Sequence, residues 1–447
     1  MASSITGDAK KVLLDQFKQD LDSSGSRYYI GISGADSTGV GLLGQMRFRN
    51  EMQFVKIASA NSFVVETYDW TSGEVYNAYD NENLNQIQFY VVNDLNEVFL
   101  CVETSKNSSG VAQPSTIKPT SALAAAYDNT RRSFPTSDGY VWRYLYQMSG
   151  LAVNRFKTND YMPVQQIRSE SSISQLNEQR TLQNESIDGE IIGIAIDSGG
   201  SGYQFAPRLD IEGNGTGASF SVSLNNGKIV AVTVDSDGFG TISHGSGYDF
   251  AKIIPSAGDA VLRPIMGPKG GVNLDPVATL RADKLMVQTT IQDDENGTIP
   301  LADPNNDFLS VALLRKPNEF GSQTDYTGAV GNAMNYFTVS AGSGTFTADE
   351  IFETSAQVKG KTHWHDTSNN RLYYIQNDST GFGTFNVTDT ITSTTVPSTS
   401  KVIDADNNPE IDRYSGEILY INTLNSTIDR TSTQTEDIRV VIDLGQD

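Results

Sequence analysis

The chain has 447 residues, 38% hydrophobic and 19% charged, with plentiful Gly, Ser, Thr and Asn; that is enough for two to four domains of a turn-rich, β-leaning type. Its 54 acidic and 32 basic side chains leave a net charge of −22, which argues against nucleic acid and anionic membrane surfaces as main partners. One cysteine, Cys101, rules out an intrachain disulfide and disfavours a cysteine-based metal site; no signal-peptide core and no membrane-length apolar run is visible, so synthesis in a reducing cytoplasm is expected.

In chain order, residues 8–21 read as a helix, with Ala9, Val12, Leu13, Phe17 and Leu21 on one face and Thr6 or Asp8 as cap. Ser23 to Ser26 end it, and a strand follows over 27–32. The spacing of Leu42, Leu43, Met46, Met52 and Val55 predicts a second helix over 42–57. Residues 62–68 read as a strand, 87–92 and 97–102 as a hairpin about Asn93-Asp94, and 105–136 as a polar loop holding Pro114, Pro119 and Pro135. That loop delivers the chain to Ser137–Met148, where Tyr140, Trp142, Tyr144 and Tyr146 alternate with Val141, Arg143, Leu145 and Gln147. A period of two is a strand period, so the four rings are expected on one face, packed in a core or on a neighbouring subunit.

Residues 169–184 read as helix or loop. Ile191–Ser198 (IIGIAIDS) and then residues 229–236 (IVAVTVDS) match at an offset of 38 residues, and each precedes a GSGY, at Gly200–Tyr203 and Gly245–Tyr248. With a hairpin signal at Asn225-Asn226-Gly227, this reads as an internally duplicated Gly-rich β unit over 186–265. A turn cluster over 264–271 follows, then a strand or short helix over 280–291 and a strand over 308–314. Short strands at 337–340, 351–352, 358–364, 371–376 and 385–390 suggest a small barrel or sandwich, and strands at 417–422 and 438–444 close the chain.

No stretch carries a complete chemical motif. Gly39-Val40-Gly41-Leu42-Leu43-Gly44 spells the dinucleotide fingerprint, but a polar stretch separates it from the preceding strand and no parallel α/β pattern continues. Gly213 to Gly217 leads into a strand and lacks the Lys-Ser/Thr of a phosphate loop. His363 and His365 would share a strand face and could hold a metal, yet no further ligand is near. Asp404, Asp406 and Asn408 begin like a calcium loop that fails at Pro409 and Ser415, and Asp303 to Asp307 reads as a turn. Ser33 lacks the glycine of a nucleophile elbow at Ala35, and three histidines leave little for Ser–His–Asp catalysis. The expectation is therefore no catalytic residue, no cofactor and no dedicated metal site.

Several stretches together resemble the baseplate wedge protein of the gene product eight type in T-even-like contractile-tailed phages and cyanobacterial myoviruses. They are Tyr28-Tyr29-Ile30-Gly31-Ile32, the run from Tyr68 to Tyr76, Phe89 to Val92, Val98 to Val102, Asp138 to Tyr146, Phe156-Lys157-Thr158 and Tyr161 to Val164. The resemblance returns in Ser415 to Ile421 and Thr435 to Arg439, and so covers roughly the first 165 and last 50 residues. Where the family tends to carry Asn-Arg after this Tyr-Ile pair, the chain has Asn422-Thr423-Leu424, which puts an arginine contact there in doubt.

The resemblance implies a non-enzymatic virion component of the tail baseplate, assembled in the host cytoplasm, forming a homodimer and joining other baseplate wedge proteins, with no nucleic-acid or membrane partner. The expected fold is mainly β with minor α (α+β) and multidomain. It comprises a sandwich-like core over 1–185, the Gly-rich unit over 186–265, connecting strands over 266–320, a barrel or sandwich insertion over 321–400, and strands over 401–447 returning to the core. Trp70, Tyr140, Trp142, Arg143, Tyr144 and Tyr146 are the core or interface candidates. Two rival readings are a glycan-binding tail fibre or receptor-binding protein using Trp364 or Tyr373, and a polysaccharide hydrolase with unassigned carboxylates.

Overall fold

The computed structural model describes residues 7–23, 27–38, 41–83, 88–127, 133–235, 242–293, 295, 297–299, 306–430 and 434–444. Strands take 44% of it and helices 13%, in several sheets and one closed six-stranded barrel, so the protein is mainly β and multidomain. It divides into two compact units: Met1–Lys11, Ser62–Leu285 and Asp443–Asp447 form one, Val12–Asn61 and Met286–Ile442 the other. The expected 1–185 domain is thus cut at residue 61, and residues 12–61 belong with the later part of the chain.

In the first unit, the antiparallel order Tyr90–Val92, Glu97–Glu103, Val141–Gln147, Ser133–Pro135 makes a four-stranded sheet. The polar segment before it is not all loop: its alanine-rich stretch, SALAAAY, forms the helix Ser121–Tyr127. Ile87 of the expected hairpin lies outside the described residues. Ala60–Glu66 pairs with Tyr161–Val164 through Phe63 to Glu66. Beyond the helix Ser174–Asn184 comes the Gly-rich unit, four two-stranded ribbons. Pro264 lies inside its strand Val261–Met266 rather than in a linker; a two-stranded ribbon has only edge strands, where proline is tolerated.

The duplication survives as conformation but not as pairing. Ile191–Ser198 pairs with Val261–Met266, whereas Lys228–Val234 pairs with Phe220–Asn225. Both GSGY segments nevertheless hold their glycines at positive φ, 63° and 77° at Gly200 and Gly202, 71° and 74° at Gly245 and Gly247. Each tyrosine then buries its ring on glycine backbone, Tyr203 at Gly258 and Tyr248 at Gly215. Both copies continue as Tyr-x-Phe-Ala, and both phenylalanines point outward, Phe205 at 84% exposure and Phe250 at 63%.

In the second unit, five antiparallel strands run in the order Val330–Asn332, Met52–Ile57, Tyr28–Ser33, Asn306–Arg315, Glu417–Arg430. The helix expected over 42–57 stops at Asn50. Leu42, Leu43 and Met46, whose spacing suggested it, are exposed, while Met52 and Phe54 are buried as strand residues. Tyr28, Ile30 and Ile32 face a core with Phe54, Val287 and Val440; Tyr29 faces another with Phe48 and Ala312. The barrel order is Asn335–Ser343, Arg371–Ile375, Lys359–Asp366, Ile351–Thr354, Thr390–Ser393, Ser400–Asn407. It closes past the expected limit at 400, and no strand forms at 385–389, where Phe385 instead plugs the interior.

Candidate functional site

The aromatic strand is launched by a carboxylate-centred turn. Asp138 Oδ2 accepts the backbone N–H of Thr116 (2.8 Å) and Ile117 (2.9 Å), and Gly139 has φ 86° with Ser105 Oγ 2.7 Å from where a Cβ would sit. From there Tyr140, Trp142 and Tyr144 share a face, and all three are buried. Tyr140 stacks on Trp142 at 5.4 Å and 15°, Tyr76 meets Trp142 edge-on at 5.7 Å, and Phe99 lies against Tyr144 at 5.4 Å. Such pairs add about 0.5–1.5 kcal/mol each beyond area burial.

The four-ring face is shortened to three. The pairing register shifts between Tyr144 and Tyr146, so Leu145 is an extra residue, and a bulge re-aims the side chain that follows. Tyr146 stands apart from the cluster, and its hydroxyl donates to the Pro163 carbonyl (3.1 Å). Trp70 is half-buried at the cluster's rim and donates from Nε1 to Ser115 Oγ (3.1 Å). Of the six named candidates, five are therefore core within the single chain and Trp70 is marginal.

Arg143 occupies the intervening register of the same strand and is 2% exposed. Its Nη1 and Nη2 donate to Glu190 Oε2 (2.7 Å) and Oε1 (3.0 Å), a two-pronged buried ion pair, and its Nε donates to Ser133 Oγ (3.1 Å). Ser133 Oγ also meets His244 Nε2 at 3.1 Å, while His244 Nδ1 meets the Ile191 carbonyl at 3.0 Å. A carbonyl can only accept, so Nδ1 carries the proton of the neutral ring and Nε2 accepts from Ser133. Burial first, and then the Arg143 charge, hold the His244 imidazole down at about 4, which keeps it neutral at pH 7.

This chain of bonds ties the aromatic sheet (Arg143, Ser133) to the Gly-rich unit (Glu190, Ile191, His244). It contains a Ser–His contact, but not one arranged for acyl transfer. The histidine is oriented by a backbone carbonyl rather than a carboxylate, the serine also accepts from arginine, and both side chains are 3% exposed. Two further contacts reach the Gly-rich unit, one from Glu103 of the same sheet and one from Asp80 in the segment before it. Glu103 Oε1 accepts the Val234 N–H (2.6 Å), with burial pushing its carboxyl up to about 7. Arg263 donates to Asp80 Oδ1 (3.0 Å) and Oδ2 (2.8 Å), and those bonds hold the Asp80 carboxyl down at about 2.

The remaining motifs stay apart. Gly39 and Val40 lie outside the described residues; the strand before them, Tyr28–Ser33, is antiparallel to both neighbours, not part of the parallel unit that a dinucleotide fingerprint requires. Asp303 to Asn305 also lie outside, and Asp307 is in a strand. His365 Nδ1 accepts the Phe346 N–H (3.1 Å), whereas His363 falls at a register shift with its Nε2 buried and unbonded. Asp404 accepts from Ser340 and Asp406 from the Tyr374 hydroxyl. Among the described residues no group of three or more His, Cys, Asp or Glu side chains could hold a metal ion. Tyr373 lies between Trp364 (5.5 Å, 14°) and Tyr336 (5.1 Å) in a cross-strand row on the barrel and is 6% exposed, so its faces are already covered.

The sequence reading did not find Ser133, Glu190 or His244. One signal was present: an arginine between buried aromatics on a strand requires a buried acid nearby in space. Comparison with protein-family models, with curated proteins and with solved structures finds no match to this chain.

Proposed function

We propose that this chain is a structural subunit of a contractile phage tail, a baseplate wedge component of the virion that is assembled in the host cytoplasm. It acts through protein–protein interfaces and forms a homodimer that joins other wedge proteins. The observation that carries this reading is the pair Phe205 and Phe250, held out to solvent at 84% and 63% from equivalent, glycine-fixed positions of a repeated turn. Single exposed apolar residues are ordinary on protein surfaces. Two phenylalanines presented by the same local conformation are the kind of anchor a partner covers. The resemblance supplies the kind of assembly, and the buried clasp at Arg143 suits a part that bears load without bond chemistry.

The test is a double variant, Phe205→Ser with Phe250→Ser, examined for incorporation into tails and for stability. Loss of incorporation with stability within about 0.5 kcal/mol of the parent supports the proposal, since exposed sites away from special features contribute little to folding. Full incorporation of the double variant removes its main support.

A further inference from the structure

A small cavity of about 10 Å³ lies beside the Arg143–Glu190 pair, lined by both side chains with Leu182, Val272 and Asn273. That volume is about what one water molecule needs, provided polar partners surround it. Asn273 is 5% exposed, and its Nδ2 donates to the Tyr144 carbonyl (3.2 Å). That bond fixes the amide orientation, because the flipped amide would set two oxygens against each other. The other amide atom, Oδ1, is buried and has no hydrogen-bond partner. A buried acceptor left unbonded carries an uncompensated desolvation penalty, so a partner is strongly favoured. Arg143 has five N–H donors and directs one each from Nε, Nη1 and Nη2 to Ser133 and Glu190. The other hydrogens of its two terminal nitrogens remain available.

We propose that this cavity is a binding site for one structural water, which accepts from an Arg143 terminal nitrogen and donates to Asn273 Oδ1. The water completes the clasp between the aromatic strand, the Glu190 segment and the turn at Asn273. Leu182, Ile187 and Val272 supply the apolar part of the cavity lining, and Glu185 and Ser186 add polar groups beside the ion pair. Asn273 has φ 82°, a conformation asparagine and glycine accept and most other residues resist. This explains why a short amide stands at the turn that faces the cavity.

A high-resolution crystal structure of the full chain tests the assignment. The expected result is one spherical peak of water-like density within hydrogen-bond distance of both Asn273 Oδ1 and the Arg143 guanidinium. In Asn273→Gly, which keeps the backbone conformation and removes the acceptor, that peak should vanish. Absence of the peak in the parent overturns the proposal. So does a peak with anomalous signal, which marks an ion, or one unchanged in the glycine variant, which would show that the asparagine does not hold it.

Discussion

The aromatic sheet of the first unit and the barrel of the second bury similar clusters of rings by different means. The barrel closes on itself, and Phe337, Phe346, Phe352, Tyr374 and Phe385 fill its interior, with Phe337 stacked on Tyr374 at 4.2 Å. Both ends of its strand order meet, since Asn335–Ser343 pairs with Arg371–Ile375 and with Ser400–Asn407. The sheet carrying Trp142 is open and has a second face to cover. Arg143, Ser133, Glu190 and His244 bond across that side, and Glu103 and Asp80 add contacts to the same Gly-rich unit. A closed sheet can rely on apolar packing alone. An open one that recruits a separate unit through buried charges becomes sensitive to protonation and to the loss of any one partner.

The largest expected effects break each region at its centre. Glu190→Ala leaves the Arg143 charge buried without its acid and should lower the stability of the first unit by about 3–5 kcal/mol. Phe352→Ala should remove about 3–5 kcal/mol from the barrel by leaving a cavity among its rings. A chain of several domains need not unfold in one step, so segment-resolved hydrogen exchange is the measurement. Protection should fall in the sheet and Gly-rich unit for the first variant and in the barrel for the second. Equal losses in both places for either variant would erase the contrast.

Titration sharpens the comparison. The His244 imidazole titrates near 4 when folded and near 6.5 when free. Above pH 6.5 it is neutral in both states and contributes no pH dependence. As pH falls from 6.5 to 4 the unfolded chain takes up the proton and the folded one does not, so about 3 kcal/mol is lost across that window. His244→Gln should flatten the slope there, and an unchanged slope would remove His244 from the account. Glu103 works in the opposite direction, because its folded carboxyl is pushed up to about 7 from 4.5. Its stabilising contribution is present below pH 4.5 and lost as pH rises to 7. Glu103→Gln keeps an acceptor for Val234 and should raise stability at pH 8 by roughly 1–2 kcal/mol, allowing for partial exposure. Chemical denaturation at a series of pH values checks both.

Parts of this were legible in the sequence for physical reasons. The ring face of Tyr140, Trp142 and Tyr144 follows from strand alternation, and the GSGY repeats announce positive φ because glycine adopts it freely. The bulge at Leu145 that removes Tyr146 from that face leaves no local mark, since it is set by the register with Val98 and Phe99. Arg143 advertised a buried acid, but Glu190 lies 47 residues away at the start of the Gly-rich segment, and only folding brings them together. The helix expected over 42–57 forms as far as Asn50; the overrun comes from Met52 and Val55, which continue the helical spacing but are buried as strand residues.

The central claim, a subunit that works through its interfaces and pairs with itself, is tested most directly by size-exclusion chromatography with light scattering. The account predicts a species of twice the 48.6 kDa chain mass for the parent and of 48.6 kDa for the Phe205→Ser, Phe250→Ser variant. A parent that stays at 48.6 kDa at every concentration, or a double variant that still pairs, would contradict it.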